Sequence, residues 1–183
     1  TNLYYIFNTP GVEQSTVSGT GMADGNNGLR YSIVNITTNT VTSKNVLLTP
    51  AGIPITEGQT AVPHFDGTSF WLICKQAGNK TTGASSNNFY AYRIGTNNIN
   101  TTTGVINSLN GTADEVINAA GTAIPGITGA GASTNGIITI KANNCFNKLA
   151  VAFFAIGAIG KKVEVFNFNN NTGAISLANT ITN

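Results

Sequence analysis

The chain has 183 residues, only 9% of them are charged, and its formal net charge is +2. This charged fraction is far below the roughly 25% of an average soluble protein, and Asn, Thr, Ser and 21 glycines take the place of the missing charges. The nine Lys and Arg residues stand singly except for Lys161-Lys162, so no basic stripe can follow a phosphate backbone and we expect no nucleic-acid partner.

A surface made polar by amides and hydroxyls rather than by charges is typical of extracellular β-proteins and fibre components. It predicts a secreted or cell-surface protein. The longest apolar run, Leu149–Gly160, is shorter than the roughly 18 residues that a membrane-spanning segment needs, so no membrane span is expected. The chain opens at Thr1 without a signal peptide, which predicts either a removed export signal or a piece of a longer protein.

The first predicted unit spans approximately residues 1–59. Its elements are, in order, the strand Leu3–Phe7, the Gly-rich loop Thr9–Gly28, and the strands Leu29–Ile36 and Val41–Leu48. Aromatic or apolar residues that alternate with polar ones predict strands with one buried face. A loop of Pro and Gly, Thr49–Gln59, leads out of the unit.

The second predicted unit spans approximately residues 60–110. Its predicted strands are Thr60–Phe65, Ser69–Cys74, a strand from Asn88, and Thr103–Leu109. Asp66-Gly67 between the first two strands is a strong hairpin signal. The following stretch, residues 111–135, is rich in Ala, Gly and Thr, and we interpret it as a low-complexity loop.

The third predicted unit spans residues 136–183. Its predicted strands are Gly136–Ala142, Lys148–Ile156, Lys161–Phe168 and Gly173–Ile181. A helix is favoured nowhere except at Thr112–Ala120, where Thr112 and Glu115 form a capping-box pattern. That segment is too short to be a major element.

Four antiparallel strands in a unit, with an apolar first strand innermost, is the plan of a propeller blade. The predicted fold is therefore all-β and propeller-like, with about three four-stranded antiparallel blades, of which the first lacks its innermost strand. Propellers close with roughly four to eight blades, and an open set leaves strand edges that aggregate. We expect either a segment of a longer chain or missing strands supplied by another molecule.

Several motifs together resemble a known family. They are YYIF (4–7), GLRYSIV (28–34), VTSKNVLL (41–48), TAVPHFDGTSFWLICK (60–75), NNFYAYRI (87–94), KLAVAFF (148–154) and VEVFNFNNNTGAIS (163–176). In this order they resemble β-propeller regions of large secreted or surface Bacteroidetes proteins, gliding-type or adhesin-like, that carry type IX secretion sorting domains. The resemblance implies a secreted scaffold for adhesion. Asn167–Asn170 replaces the acidic blade turn of that family, so calcium is not expected there.

His64 is the first candidate for catalysis, because a general base needs an acid that orients it. Asp66 lies two residues further along the chain, so on a strand its side chain would point to the same side as His64. The simpler interpretation is a ring that satisfies a backbone group in a tight hairpin. Ser69 lies nearby, but no Gly-x-Ser-x-Gly elbow accompanies it. Only seven carboxylates occur in the chain, and we expect neither catalysis nor a cofactor.

Trp71, Tyr90 and Tyr92 are, with His64, the candidate ligand-binding residues. An exposed ring beside Asn-rich loops can stack on a sugar. Packing between neighbouring blades explains the same alternation of aromatic residues, and the sequence does not separate the two interpretations.

Cys74 and Cys145 lie in corresponding parts of the second and third units. They could form a disulfide in an oxidising compartment, or remain two thiols buried in separate strands. Because they lack the paired spacing of a zinc site, no metal is expected.

These observations predict a non-catalytic, structural or adhesive scaffold that presents polar loops to other surface proteins, glycans or copies of itself. One alternative is an extracellular fibre subunit completed by strand addition. A second alternative is a lectin-like carbohydrate-binding module.

Overall fold

The computed structural model describes residues 2–9, 28–79, 82–95, 115–124, 138–154 and 161–182. Within these ranges the protein is all-β, as predicted, and contains no helix. The strands are β1 (Leu3–Asn8), β2 (Arg30–Asn35), β3 (Thr40–Leu47), β4 (Ile55–Pro63), β5 (Phe70–Gln76), β6 (Ser86–Ile94), β7 (Glu115–Ile124), β8 (Ile138–Ala142), β9 (Lys148–Phe153), β10 (Lys162–Phe168) and β11 (Ile175–Thr182).

The strands form three antiparallel sheets. Sheet 1 has the order β1-β2-β3, sheet 2 has β4-β5-β6-β7, and sheet 3 has β8-β9-β10-β11. Each strand therefore pairs with its neighbour in sequence. The described sheets do not close into a ring, so the propeller remains a hypothesis while the antiparallel all-β architecture is confirmed.

Sheet 2 lies between the other two sheets. On one side its residues Leu72 and Tyr92 pack in a buried cluster with Tyr31 of sheet 1. On the other side Trp71, Ile73 and Phe89 pack in a second cluster with sheet 3, where the Phe89 and Phe166 rings meet edge to face at 5.0 Å. Both faces of sheet 2 are therefore covered.

The burial patterns of β5 and β9 differ because β5 belongs to the inner sheet and β9 to an outer sheet. Residues Trp71–Lys75 of β5 are buried at five successive positions, as expected for a strand covered on both faces. In β9, buried and exposed positions alternate, which is the pattern of a strand with one face in solvent.

Sheets 2 and 3 stack in the same strand order. A Cβ built on Gly58 of β4 lies 2.6 Å from the Ile138 side chain of β8, so the two first strands touch. The two last strands also meet, because Ile175 N–H of β11 donates to Asn118 Oδ1 of β7 at 3.0 Å. One sheet is thus laid on the next with first strand on first strand and last on last.

The β4–β5 hairpin forms where Asp66-Gly67 predicts it. Asp66 Oδ1 accepts the N–H groups of Thr68 at 2.8 Å and Ser69 at 2.9 Å, which is the Asx arrangement that favours Asp in turns. Gly67 has φ +68°, a left-handed conformation that glycine adopts without steric cost.

The last strand of sheet 2 differs from the prediction. It is β7, Glu115–Ile124, which lies inside the stretch 111–135 that the sequence analysis interprets as a loop. The strand predicted at 103–109 lies outside the described residues. Gly121 has φ +68°, and the β6–β7 register shifts between Ser86 and Asn88, so this irregular strand lacks the alternation that identifies a strand in sequence.

Sheet 1 has three described strands where sheets 2 and 3 have four. A short turn joins β2 to β3, as one joins β10 to β11. The strands β2 and β3 therefore correspond to β10 and β11, and β1 corresponds to β9, the second strand of sheet 3. Among the described residues, sheet 1 therefore shows no counterpart of β4 and β8. Within the described residues, β1 is an edge strand.

Candidate functional site

The candidate binding residues divide between the two faces of sheet 2. His64 and Trp71 lie together at the boundary with sheet 3, with ring centroids 5.7 Å apart. Tyr90 and Tyr92 belong to the cluster shared with sheet 1, where their rings stack at 6.2 Å. The structure therefore makes two separate pairs and no common site.

All four side chains are buried, with exposed fractions of 6% for His64, 2% for Trp71, 4% for Tyr90 and 0% for Tyr92. A ring that stacks on a sugar must offer one face to solvent. None of these four side chains offers such a face in this structure. Their alternation on the strands comes from packing between sheets.

His64 links the β4–β5 hairpin to the β10–β11 turn of sheet 3. Its Nδ1 accepts the N–H of Asp66 at 3.0 Å, and its Nε2 lies 3.0 Å from the Asn171 carbonyl oxygen. This pattern assigns the proton to Nε2, which donates to that carbonyl. Nδ1 also lies 3.2 Å from Asp66 Oδ2, but in this tautomer it carries no proton to donate to that carboxylate. Both ring nitrogens bond to backbone groups, which agrees with the simpler interpretation of His64.

Asp66 holds the same hairpin together. Its carboxylate accepts N–H groups of Thr68 and Ser69, the Ser69 hydroxyl at 2.8 Å and the Arg93 guanidinium at 2.7 Å. The Thr68 N–H above all, with the Ser69 groups and Arg93, keeps the pKa of the Asp66 carboxyl far below its usual range. Ser69 Oγ also accepts Arg93 Nε at 3.1 Å. The hydroxyl is engaged by Asp66 and Arg93, so it is not activated as a nucleophile by His64.

Trp71 and Gly173 meet at the centre of this boundary. The Trp71 indole N–H donates to the Asn170 carbonyl oxygen at 2.8 Å, and Phe65 N–H donates to the same oxygen at 3.2 Å. Gly173 has φ +72°, and a Cβ there would lie 2.8 Å from Trp71 Cη2. Glycine is therefore required by both its backbone and its neighbour.

Asn118 is a residue of this boundary that the sequence does not reveal. Its Nδ2 donates to the Gly173 carbonyl oxygen at 3.0 Å, and its Oδ1 accepts Ile175 N–H at 3.0 Å. One amide thus satisfies a donor and an acceptor of the neighbouring sheet. In a chain so rich in Asn, no local signal marks Asn118.

A second polar group lies deeper between sheets 2 and 3. Glu164, 1% exposed, accepts the Thr122 N–H and hydroxyl, and Lys162 Nζ lies 3.5 Å from its Oε1. Lys75, fully buried, donates to the carbonyl oxygens of Asn87 at 3.1 Å and Ala120 at 3.4 Å. Its ammonium also lies 4.1 Å from the centre of the Phe89 ring.

Burial lowers the pKa of Lys75 from 10.5 to about 8, although the Glu164 carboxylate opposes that shift. A lowered lysine pKa is one mark of a reactive amine. Here, however, the ammonium is packed on Phe89 and bonded to backbone carbonyls, and it is closed off from solvent. The geometry fits a satisfied internal charge that joins strands β5, β6 and β7.

The cluster shared with sheet 1 contains a buried thiol beside two phenols. Burial, followed by the Glu115 carboxylate, raises the pKa of Cys74, and the same two causes in the same order raise that of Tyr90. Burial is also the main cause of the raised pKa of Tyr92. All three groups therefore stay protonated at neutral pH, and the Cys74 thiol is inert.

No disulfide joins the two cysteines: both are free, Cys74 buried in β5 and Cys145 exposed in the β8–β9 turn. Of the two alternatives from the sequence, free thiols fit, although Cys145 is not buried.

Among the described residues, no group of three or more His, Cys, Asp or Glu is placed to hold a metal ion. The same ranges contain no helix of the length and apolarity that crossing a bilayer requires. No protein family, curated protein or solved structure was found to match the chain. The site is thus defined by its geometry alone, as a polar joint between two sheets.

Proposed function

We propose that the protein is a non-catalytic structural scaffold in which stacked sheets hold polar loops in fixed positions. The observation that carries this proposal is that the described candidate side chains for catalysis are engaged in hydrogen bonds. His64, Asp66 and Ser69 bond to hairpin groups and to the neighbouring sheet, and Lys75 bonds to backbone carbonyls. Groups used in this way support rigidity rather than chemistry.

The stacking favours blades of a partial propeller as the finer description of the fold. At the boundary of sheets 2 and 3, first strand lies on first strand and last on last, as in neighbouring blades. The three-stranded sheet 1 fits a blade whose innermost strand comes from elsewhere. The resemblance to propeller regions of secreted Bacteroidetes proteins agrees with this description.

A position outside the cell fits the chemistry of the surface. Only 9% of the residues are charged, and exposed side chains such as Asn143, Asn171 and Thr172 make the turns polar without charge. The partners of such a surface are other surface proteins, glycans or further copies. The proposed location is extracellular or cell-surface.

Antibody labelling of the source cells tests this proposal. An antibody against the folded chain is expected to label intact cells, and beads coated with the folded chain are expected to bind cells or glycoproteins. Beads coated with the thermally unfolded chain are the control, because they carry the same composition without the fixed loops. Labelling that requires broken cells would exclude the surface role.

A fibre subunit completed by strand addition is the second candidate. Among the described residues β1 lies at the edge of sheet 1, and its Leu3 end favours this candidate, because the Phe7 carbonyl oxygen nearer the other end already accepts the Gln59 side chain at 3.1 Å. Asn2 accepts the Ile36 N–H across the β1–β2 ladder, so the backbone groups of Leu3 point the other way, toward the edge. An added strand could bond there. Leu3→Pro removes one donor from that edge, and it is expected to abolish fibres seen by electron microscopy if this candidate is right.

A lectin-like role loses its main support, because Trp71, Tyr90 and Tyr92 are buried.

A further inference from the structure

The two outer sheets each leave one face in solvent, and both faces are partly apolar. Face A is the outer side of sheet 1, lined by Tyr4, Ile6, Val34 and Val41. Three of these side chains are more than half exposed: Tyr4 at 59%, Ile6 at 53% and Val41 at 57%. Tyr4 lies opposite Val34, and Val34 opposite Val41, so three of the residues form one row across the sheet.

Face B is the outer side of sheet 3, lined by Ala150, Ala152, Val163, Val165 and Ile181. Val163 lies between Ala152 and Ile181, and Val165 lies opposite Ala150. Face B therefore carries mostly small side chains at its centre, whereas face A carries larger ones. Large side chains on small ones is the complementarity that lets two sheets approach closely.

The interior of the molecule shows which face packs on which. The three sheets stack in one direction, so the side that one sheet turns toward the next is covered by the opposite side of that next sheet. At the boundary of sheets 2 and 3 the strand order is also preserved. Face A is the side of sheet 1 equivalent to the sides that sheets 2 and 3 turn toward the preceding sheet. Face B is equivalent to the sides that sheets 1 and 2 turn toward the following sheet. The two outer faces are thus the two halves of a contact that the molecule already makes twice.

We propose that face A of one molecule packs on face B of a second copy, in a head-to-tail association that continues the stack of sheets. The occupant is a second copy because each copy carries both halves of the contact. Such a contact is heterologous, so its repetition gives a closed ring or an open row. The proposal goes beyond the scaffold function, since a scaffold can act as a single molecule.

Charge shapes the salt dependence of this association. Face B has Lys141 and Lys148 near its apolar centre, and face A has Arg30. Among the described residues that the strand register places on these two faces, the charged side chains are cations. Added salt is therefore expected to strengthen the association by screening their repulsion.

Two complementary variants test the proposal with the full chain. Ile6→Glu changes face A only, and Ala152→Lys changes face B only. Masses are measured by native mass spectrometry and sedimentation velocity over a concentration series, with circular dichroism to confirm that each variant is folded. The exposed Phe65, at 75%, lies on the β4–β5 hairpin away from both faces, so Phe65→Glu is the matched control.

The unchanged chain and Phe65→Glu are expected to associate to at least twice the 18.9 kDa of one chain. Each face variant alone is expected to fall to a single chain, because every contact then includes a charged face. An equal mixture of the two is expected to pair again, because the intact face B of Ile6→Glu meets the intact face A of Ala152→Lys.

Three results would overturn the proposal. The first is an unchanged chain that stays single at every concentration. The second is an association that neither face variant disturbs, which points to the β1 edge and to strand addition. The third is loss of association in one face variant only, because that is the behaviour of two identical faces meeting.

Discussion

Gly173 tests whether sheets 2 and 3 are held by a tight fit at their boundary. A methyl group at this position would meet Trp71 Cη2, Cζ3 and Cζ2 at 2.8, 2.9 and 3.1 Å. The indole cannot easily yield, because it is 2% exposed and its N–H is bonded to the Asn170 carbonyl oxygen. Gly173→Ala therefore forces either the Asn169–Gly173 turn or the Trp71 ring out of place.

Two penalties add in this variant. A side chain with φ near the +72° of Gly173 costs about 1 to 2 kcal/mol in backbone energy. Forcing extra atoms into a packed boundary costs about 1 to 3 kcal/mol more. The free energy of unfolding is therefore expected to fall by about 2 to 5 kcal/mol in Gly173→Ala.

Gly52→Ala is the matched control, because Gly52 has a similar φ of +78° but no atom within 4 Å of the added methyl group. It is expected to show the backbone penalty alone, about 1 to 2 kcal/mol. Urea unfolding followed by tryptophan fluorescence measures both variants. Equal losses of stability in the two variants would contradict the tight contact between Trp71 and Gly173.

Three further predictions concern other residues of the sheet boundaries. The pKa of Lys75 is about 8 in the folded chain and 10.5 in the unfolded chain, so the unfolded chain binds more protons between pH 8 and pH 10.5. The free energy of unfolding of the unchanged chain, relative to that of Lys75→Met, is therefore expected to rise by up to about 3 kcal/mol across this window and to stay level below it. A level difference throughout, measured by urea unfolding at several pH values, would count against the buried ammonium. Asn118→Ala leaves an N–H and a carbonyl of the neighbouring sheet without their partners, and we expect a loss of about 1 to 3 kcal/mol in the same assay. Without reductant, a thiol reagent should modify Cys145 alone in the folded chain and Cys74 as well in denaturant, whereas no reaction in either state would indicate a disulfide.

The sequence predicts the sheets better than it predicts their boundaries. The continuous apolar run in β5 and the Asp66-Gly67 turn are local signals, and each corresponds to an observed element. The apolar run from Leu149 predicts a buried central strand, and this is wrong for β9, where every second side chain is exposed. The position of β7 could not be predicted in the same way. Its residues carry little apolar alternation, and pairing with β6 together with Asn118 contacts to sheet 3 holds them in a strand.

The candidate site shows the same limit. The sequence places His64 in a hairpin and offers backbone bonding as one of its roles, and the ring nitrogens bond as that role requires. It cannot tell whether Trp71 is exposed, because burial depends on a turn about a hundred residues later in the chain. Nor does it distinguish Asn118 from the many other asparagines, since only the fold brings that amide against Gly173 and Ile175.

Cover on both sides of sheet 2 has a consequence for how such a chain can change its length over evolution. An inner sheet and an outer sheet differ at every second position, as the exposed Lys148, Ala150 and Ala152 of β9 and the unbroken burial of β5 illustrate. Duplication of a terminal sheet turns an outer face into an inner one, and lysines that were harmless at the end of the stack then need partners or replacement. Gain or loss of a whole sheet therefore demands coordinated substitutions on the sheet that used to be last.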